Sequence, residues 1–336
     1  MSMESLPSSL EPAQRERHPS HHEREIQKKE ALKALASDHE GAFKEFEAAK
    51  DAREKRRAEV FQVHVACMDE RNTFASEATG EPLGSMELFA SVDGALSADH
   101  DPKTGADAFL KMYGDGFRKA KEEGKERVVW LMPHSCSGDS DAGCAGFATD
   151  EDAQRAYFRS LASELASRPE LEGAKIHAAM YDTDTNELAS FDGQELPLAT
   201  KDAVSRLQIT KGIVGDSEEP EHDQAHAGNR LYVGTMPRVW TAERNHAYHL
   251  SSLIERDELL SGITLAVNAI KTHSHVDTNK VPIVIQLDRS NEQPGLEISN
   301  EELLTRLNLQ PDEAMVVRSQ TDPERGEGHV AQTGTA

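Results

Sequence analysis

The chain has 336 residues, 37% of them hydrophobic, 5% aromatic and 29% charged, enough for two cores with a tail at either end. A net charge of -23 argues against a nucleic-acid partner, which would be held by Lys and Arg presented to phosphates. No apolar run approaches the ~20 residues of a membrane helix, and the polar opening has no signal-peptide core, so a cytoplasmic protein without a membrane partner is expected.

Residues 1–21 are rich in Ser, Pro, Glu and Arg without apolar periodicity and are expected to be a disordered tail. Over 22–59 the composition turns to Lys, Glu, Ala and Arg. There Leu32, Leu35, Ala36, Ala42, Phe43 and Phe46, mostly three or four apart, predict one or two charged amphipathic helices. Phe61 to Ala66 alternates apolar and polar side chains as a strand does, which puts Cys67 at its carboxyl end. Residues 75–103, punctuated by Gly80, Pro82, Gly84, Gly94 and Pro102, read as loop.

Phe109, Tyr113 and Phe117 predict a helix from about Thr104 to Glu123, ended by Gly124. Val128 to Met132 is a short continuous apolar run, the mark of a strand buried on both faces. It leads into a loop holding His134, Cys136 and Cys144. Thr149 with Asp152 has the spacing of a capping box before a helix faced by Ala153, Tyr157, Leu161 and Leu165. Ala174 to Tyr181 reads as a strand ending in the turn Asp182-Thr183-Asp184-Thr185. This alternation predicts a parallel α/β domain over 60–215.

The acidic, unpatterned stretch 215–228 reads as a boundary. Beyond it come a strand at Leu231-Tyr232-Val233, a helix faced by Leu259, Ile263, Ala266 and Ile270, and a strand over Val281 to Leu287 with Pro282 near its start. A short helix capped at Ser299 and running through Leu307 completes a second α/β domain, 216–322, which has no cysteine. Residues 323–336 are expected to be a disordered tail.

Three cysteines, Cys67, Cys136 and Cys144, are too few for a disulfide framework and better read as reduced thiols. Parallel neighbouring strands bring their carboxyl ends together, so Cys67 can meet the loop that begins at His134. Zinc takes Cys and His ligands tetrahedrally, and three protein ligands leave one position for water. Cys67, His134 and Cys144 supply that set. Cys136 competes for the third place, but Gly138 and Gly143 let the longer path to Cys144 turn back. Asp69 and Arg71, at alternate positions after Cys67, can face the same cleft. His273-Ser274-His275-Val276-Asp277 reads more economically as a polar loop than as a second metal element. His246 and His249 on an expected helix, and His222 and His226 in the acidic loop, read as surface residues. Asp182 and Asp184 serve either the rim of the site or the turn itself.

Cys67-x-Asp69-x-Arg71 followed by a distant His134 and Cys144 resembles the zinc site of the β-class carbonic anhydrases. The Gly84-Ser85-Met86 segment, the Gly143-Cys144-Ala145 end of the loop, the Tyr181 to Thr185 turn and the cysteine-free second segment are most similar to the carboxysome shell carbonic anhydrases, over about residues 60–290. The resemblance implies a catalytic zinc domain followed by a degenerate, metal-free duplicate. It implies reversible hydration of carbon dioxide to bicarbonate by zinc-bound hydroxide. Asp69 would accept a hydrogen bond from the metal water and Arg71 would fix Asp69, or Asp69 would itself bind zinc. It also implies a homodimer or higher homo-oligomer. The chain departs from that family in lacking most of a long N-terminal helical domain and in a His-to-Cys spacing one residue shorter. Neither tail holds a recognisable shell-binding motif, so carboxysome components as partners, and a location within a carboxysome, are expectations of the family alone. Hydrolysis of carbonyl sulfide or carbon disulfide on the same zinc, and a non-catalytic zinc or scaffold protein, are the competing expectations.

Overall fold

The computed structural model describes residues 23, 26–29, 48–69, 77–82, 84–135, 144–183, 188–191, 229–234, 247–273, 282–290, 297–322 and 327–331. Its elements in chain order are α1 (Lys50–Glu59), β1 (Val60–Cys67), β2 (Glu87–Ser91), α2 (Pro102–Glu122), β3 (Glu126–Met132), β4 (His134–Ser135), α3 (Glu151–Ala166), β5 (Lys175–Asp182) and β6 (Leu188–Ser190). They continue with β7 (Arg230–Val233), β8 (Ala247–Leu250), α4 (Arg256–His273), β9 (Ile283–Ser290), α5 (Asn300–Arg306), β10 (Ala314–Asp322) and β11 (Glu327–Ala331).

The fold is α/β, with two mostly parallel sheets. In the first the order is β2-β1-β3-β5, all parallel, with β6 antiparallel on β5 and the two-residue β4 continuing the line of β3 alongside the end of β5. In the second the order is β8-β7-β9-β10, all parallel, with β11 antiparallel on β10. Strand for strand, the two sheets have the same order and the same directions.

Side chains alternate between faces as the strand period requires. Val63, Val65, Cys67, Val129 and Leu131 enter one core with Phe109 and Phe117 of α2 and Phe158 and Leu161 of α3. Val60, Val128, Trp130, Met132 and Tyr181 form a smaller cluster on the other face. The larger core runs on into the second sheet through Leu231, Val233, Leu250, Ile263, Ile285 and Leu287. Each fully buried side chain of this size contributes about 1.5–3 kcal/mol, so the two sheets are joined by apolar packing. The expected apolar faces of α2 and α4 are the observed ones; in α3 Tyr157, Leu161 and Leu165 are buried as expected, whereas Ala153 is exposed and Gln154 is buried beside them. Ser299 caps α5 as expected, its hydroxyl accepting from the Glu302 N–H at 3.0 Å.

Several expectations change. The stretch read as loop over 75–103 contains β2, and α2 starts at Pro102, where a proline loses nothing at the first helical position and Asp101 accepts from the N–H groups of Lys103 and Thr104. The cap of α3 is Asp150, not Thr149, which sits in left-handed backbone at φ 62° while Asp150 accepts from the Ala153 N–H at 2.9 Å. His249 lies on strand β8 and not on a helix, and it is fully buried rather than at the surface. The segment read as a C-terminal tail contributes β11. Arg71, Cys136, Asp184, His222, His226, His246, residues 274–277 and the 215–228 boundary lie outside the described residues. Among the described residues no helix is long and apolar enough to cross a membrane.

Candidate metal centre

The chain goes from β1 to β2 on one side and then to β3 on the other, so the carboxyl ends of β1 and β3 flank the point where the strand order reverses. In open parallel sheets such a point opens a crevice for ligands. Cys67 is the last residue of β1, and His134 follows β3 after Pro133. Cys144 comes in on the turn before α3, a turn closed by the Phe147 and Thr149 N–H groups on the Cys144 carbonyl at 3.1 Å. The sulfurs of Cys67 and Cys144 and an imidazole nitrogen of His134 all lie within 4.8 Å of one another, and all three residues are buried. This triad could hold a metal ion.

Distances and chemistry fit zinc. The two sulfurs are 3.9 Å apart. A disulfide would bring them to about 2 Å, whereas two thiolates on one tetrahedral zinc stand about 3.8 Å apart. Neither ring nitrogen of His134 has a hydrogen-bond partner, although the ring is fully buried. A buried polar atom left so costs about 1–3 kcal/mol, which a coordinate bond would recover. Burial pushes the Cys67 thiol well above its ordinary range, and the neighbouring Cys144 adds to the rise. Cys144 is drawn down to about 5, first by the hydrogen bond from Cys67 and then, against its own burial, by His134. The pair is thus set to share one proton when no cation is present. A divalent cation would expel it, since only the thiolate ligates.

Around the triad the backbone is closely fitted. The Cys67 sulfur lies 3.0 Å from the Val92 carbonyl, and the Met68 N–H donates to the Ser91 carbonyl at 2.5 Å. Gly94, at φ 75°, lets the loop after β2 fold against β1; a Cβ there would stand 3.0 Å from the Ala66 carbonyl carbon and the Cys67 nitrogen. Asp69 follows one residue beyond Met68, with Oδ2 3.8 Å from His134 Nε2 and its side chain 18% exposed, against 0% for the imidazole. It therefore sits at the mouth of the site. On the far side Thr183 ties the end of β5 to the strand carrying His134, its N–H and hydroxyl both donating to the Ser135 carbonyl at 2.9 and 3.0 Å. The turn beginning at Asp182 thus supports the rim through Thr183.

The second sheet closes one wall. The His249 N–H donates to the Met68 carbonyl at 3.0 Å and the Ser251 N–H to the Ala90 carbonyl at 2.8 Å. Gly262 of α4 comes close to Val92; a Cβ there would lie 3.5 Å from it. Asp93 and His100 also belong to the surroundings of the site, and sequence reasoning missed both because their segment read as plain loop. The signal was Ser91-Val92-Asp93-Gly94 directly after the apolar Leu88-Phe89-Ala90.

The structure thus brings together Cys67, His134, Cys144 and Asp69 of the expected site. A scan against models of protein families and a search of curated proteins returned no match for this chain.

Proposed function

We propose that the protein is a zinc enzyme of the β carbonic anhydrase type that interconverts carbon dioxide and bicarbonate. The observation that carries this is the convergence of two thiols and an unpartnered imidazole at a sheet switch point, with one carboxylate at the mouth. Zinc held by two thiolates and one imidazole carries no net charge, yet it acts as a Lewis acid that brings the pKa of a bound water from near 16 towards about 7. Cys67, His134 and Cys144 would hold it, and their burial keeps bulk water from the ligand atoms. Asp69 Oδ2 would accept a hydrogen bond from water at the mouth and so orient a lone pair towards the incoming carbon. Arg71 would fix that carboxylate, as the resemblance implies. The second sheet would be the degenerate duplicate, lending a wall without a metal. A homodimer or larger homo-oligomer, and carboxysome components as partners, belong to the same proposal.

The 3.8 Å approach of Asp69 to His134 favours a second reading, in which Asp69 supplies a fourth ligand and closes a structural zinc site. Metal analysis with stopped-flow carbon dioxide hydration separates the two. The proposal expects about one zinc per chain, rapid hydration, and loss of hydration in Cys67→Ala and Asp69→Ala. Turnover that survives either substitution would sink the assigned roles. Zinc bound without any turnover would favour the structural site, and turnover of carbonyl sulfide in place of carbon dioxide would reassign the substrate.

A further inference from the structure

The three ligands of the triad are not held alike. Cys67 closes β1, where it pairs with Ser91 of β2, and His134 pairs with Tyr181 of β5, so both are fixed by strand pairing. Cys144 belongs to no strand. Its turn is closed by bonds of its own, from the Phe147 and Thr149 N–H groups to the Cys144 carbonyl and from the Asp150 N–H to the Phe147 carbonyl. The turn then leaves Phe147 through Ala148 at φ 50° and Thr149 at φ 62°, two successive non-glycine residues in left-handed backbone. Such backbone persists only where the surroundings over-determine it. The hold on Cys144 must therefore come from outside the turn.

The loop after β2 supplies it. Asp93 lies against Gly146, two residues past Cys144, where any Cβ would overlap the Asp93 side chain. The His100 ring stacks on Phe147, with centroids 4.3 Å and planes 11° apart. One bond joins the two residues: His100 Nε2 is 2.5 Å from Asp93 Oδ2, while Asp93 Oδ1 accepts from the Ala95 N–H at 2.8 Å. Asp93 and His100 thus touch consecutive residues of the turn. His100 is itself in left-handed backbone at φ 52°, so strained residues stand on both sides of the contact. Behind Phe147 is Tyr157 of α3, with ring centroids 5.7 Å apart, and its hydroxyl accepts from the Leu96 N–H at 3.3 Å. The same loop reaches the first ligand, since Val92, next to Asp93, sets its carbonyl 3.0 Å from the Cys67 sulfur. One short segment therefore meets the surroundings of two ligands 77 residues apart in the chain.

We propose that Asp93 and His100 form a clasp that positions Cys144, so that the third ligand stands ready before the metal arrives. This rests on the metal-holding part of the function proposed above and not on carbon dioxide hydration. Neither residue is a ligand. Both are positioning residues that act through the backbone of the Cys144 turn. Without the clasp the turn relaxes out of the left-handed backbone at Ala148 and Thr149, and Cys144 moves with it. Binding then has to order the turn again, and that cost appears as lost affinity.

Cobalt(II) titrated into the metal-free full chain tests this, because the intensity of its thiolate charge-transfer absorbance counts the sulfurs bound. Wild type should show both thiolates. His100→Ala should bind cobalt and zinc about 10–100-fold more weakly, the range for outer partners of a metal site, with the absorbance per bound ion falling towards that of a single thiolate. Asp93→Asn keeps the volume against Gly146 but weakens the bond to His100; it should lose less affinity in the same sense, and it decides the matter if His100→Ala does not fold. In a Cys144→Ala background, His100→Ala should cost almost nothing further in cobalt affinity, since the clasp then has no ligand to position. A His100 side chain that only supports the fold would carry its whole loss into that background and leave the absorbance per ion unchanged. Either result overturns the proposal, as do His100→Ala and Asp93→Asn variants that bind as wild type does. A wild type that takes up neither cobalt nor zinc overturns the metal centre itself.

Discussion

The two sheets present one scaffold with opposite contents at the place where chemistry would sit. The Gly234 N–H donates to the Leu250 carbonyl as the Met68 N–H donates to the Ser91 carbonyl, so Val233 stands where Cys67 does. Val233 pairs with Leu287 while Ala66 pairs with Met132, which places Asp288 at the position of His134. The contrast is one of polar satisfaction. His134 is buried with two unpartnered nitrogens, whereas Asp288, also buried, accepts from the Tyr232 hydroxyl at 3.1 Å and the Ser319 hydroxyl at 2.5 Å. Gln286 extends that network to Ser319 at 3.0 Å. A switch point thus supplies a location, and the side chains decide whether it is left short of partners for a ligand or closed by internal hydrogen bonds.

Replacing a ligand should break this contrast most. Cys67→Ser is expected to lower zinc affinity by more than about 10²-fold, since even outer partners of a metal site are worth ~10–100-fold. Val233→Ser, at the matching position, should leave zinc binding intact. Chelator competition on both variants checks this. Next comes Asp288→Ala, which removes a buried acceptor shared by two hydroxyls and should cost about 2–4 kcal/mol of stability in urea unfolding with zinc stoichiometry unchanged. Loss of zinc in that variant would mean that the second network is part of the metal site. Gly94→Ala should cost about 1–3 kcal/mol and weaken zinc binding, because left-handed backbone and contact with Cys67 coincide there. Gly234→Ala, which would press on the Tyr232 ring, should cost stability alone.

The smallest effect expected is a pH dependence confined to the first sheet. Burial, with Lys175 beside it, lowers the His177 imidazole below its ordinary 6.5 while its ring stacks on Trp130 at 4.4 Å. The unfolded chain then binds the proton more readily than the folded one, so stability holds above 6.5 and declines as pH falls below it towards the folded value. Hydrogen exchange should show that decline weakened in His177→Gln for β3 and β5.

What the sequence made legible follows from how strongly each element is patterned. β1, β3 and β5, and the apolar faces of α2, α4 and, apart from the exposed Ala153, α3, carry clear periods and lie where expected. β2 is five residues between glycine-rich turns. β8, Ala247 to Leu250, holds His249, whose spacing of three from His246 in the sequence suggests a helix, and in β10 the apolar run Met315-Val316-Val317 is followed at once by Arg318. Strands so short or so weakly patterned are specified by their neighbours across the sheet more than by themselves. The ligand triad was legible because thiols and imidazole at strand ends have few other uses. Asp93 and His100 were not, since their one local signal, the polar turn Ser91-Val92-Asp93-Gly94 after an apolar run, marks a strand end and names no functional residue.

The bonds from His249 to the Met68 carbonyl and from Ser251 to the Ala90 carbonyl also bear on the order in which the protein folds. They join segments far apart in the chain, and contacts of that kind are closed late because the intervening chain must be ordered first. The backbone beside Cys67 therefore reaches its final place only once the second sheet has formed. Zinc should then be taken up tightly in the last phase of refolding, and refolding followed by a zinc-release dye would show uptake tracking the slow phase; tight uptake in an early phase would show that the first sheet matures alone.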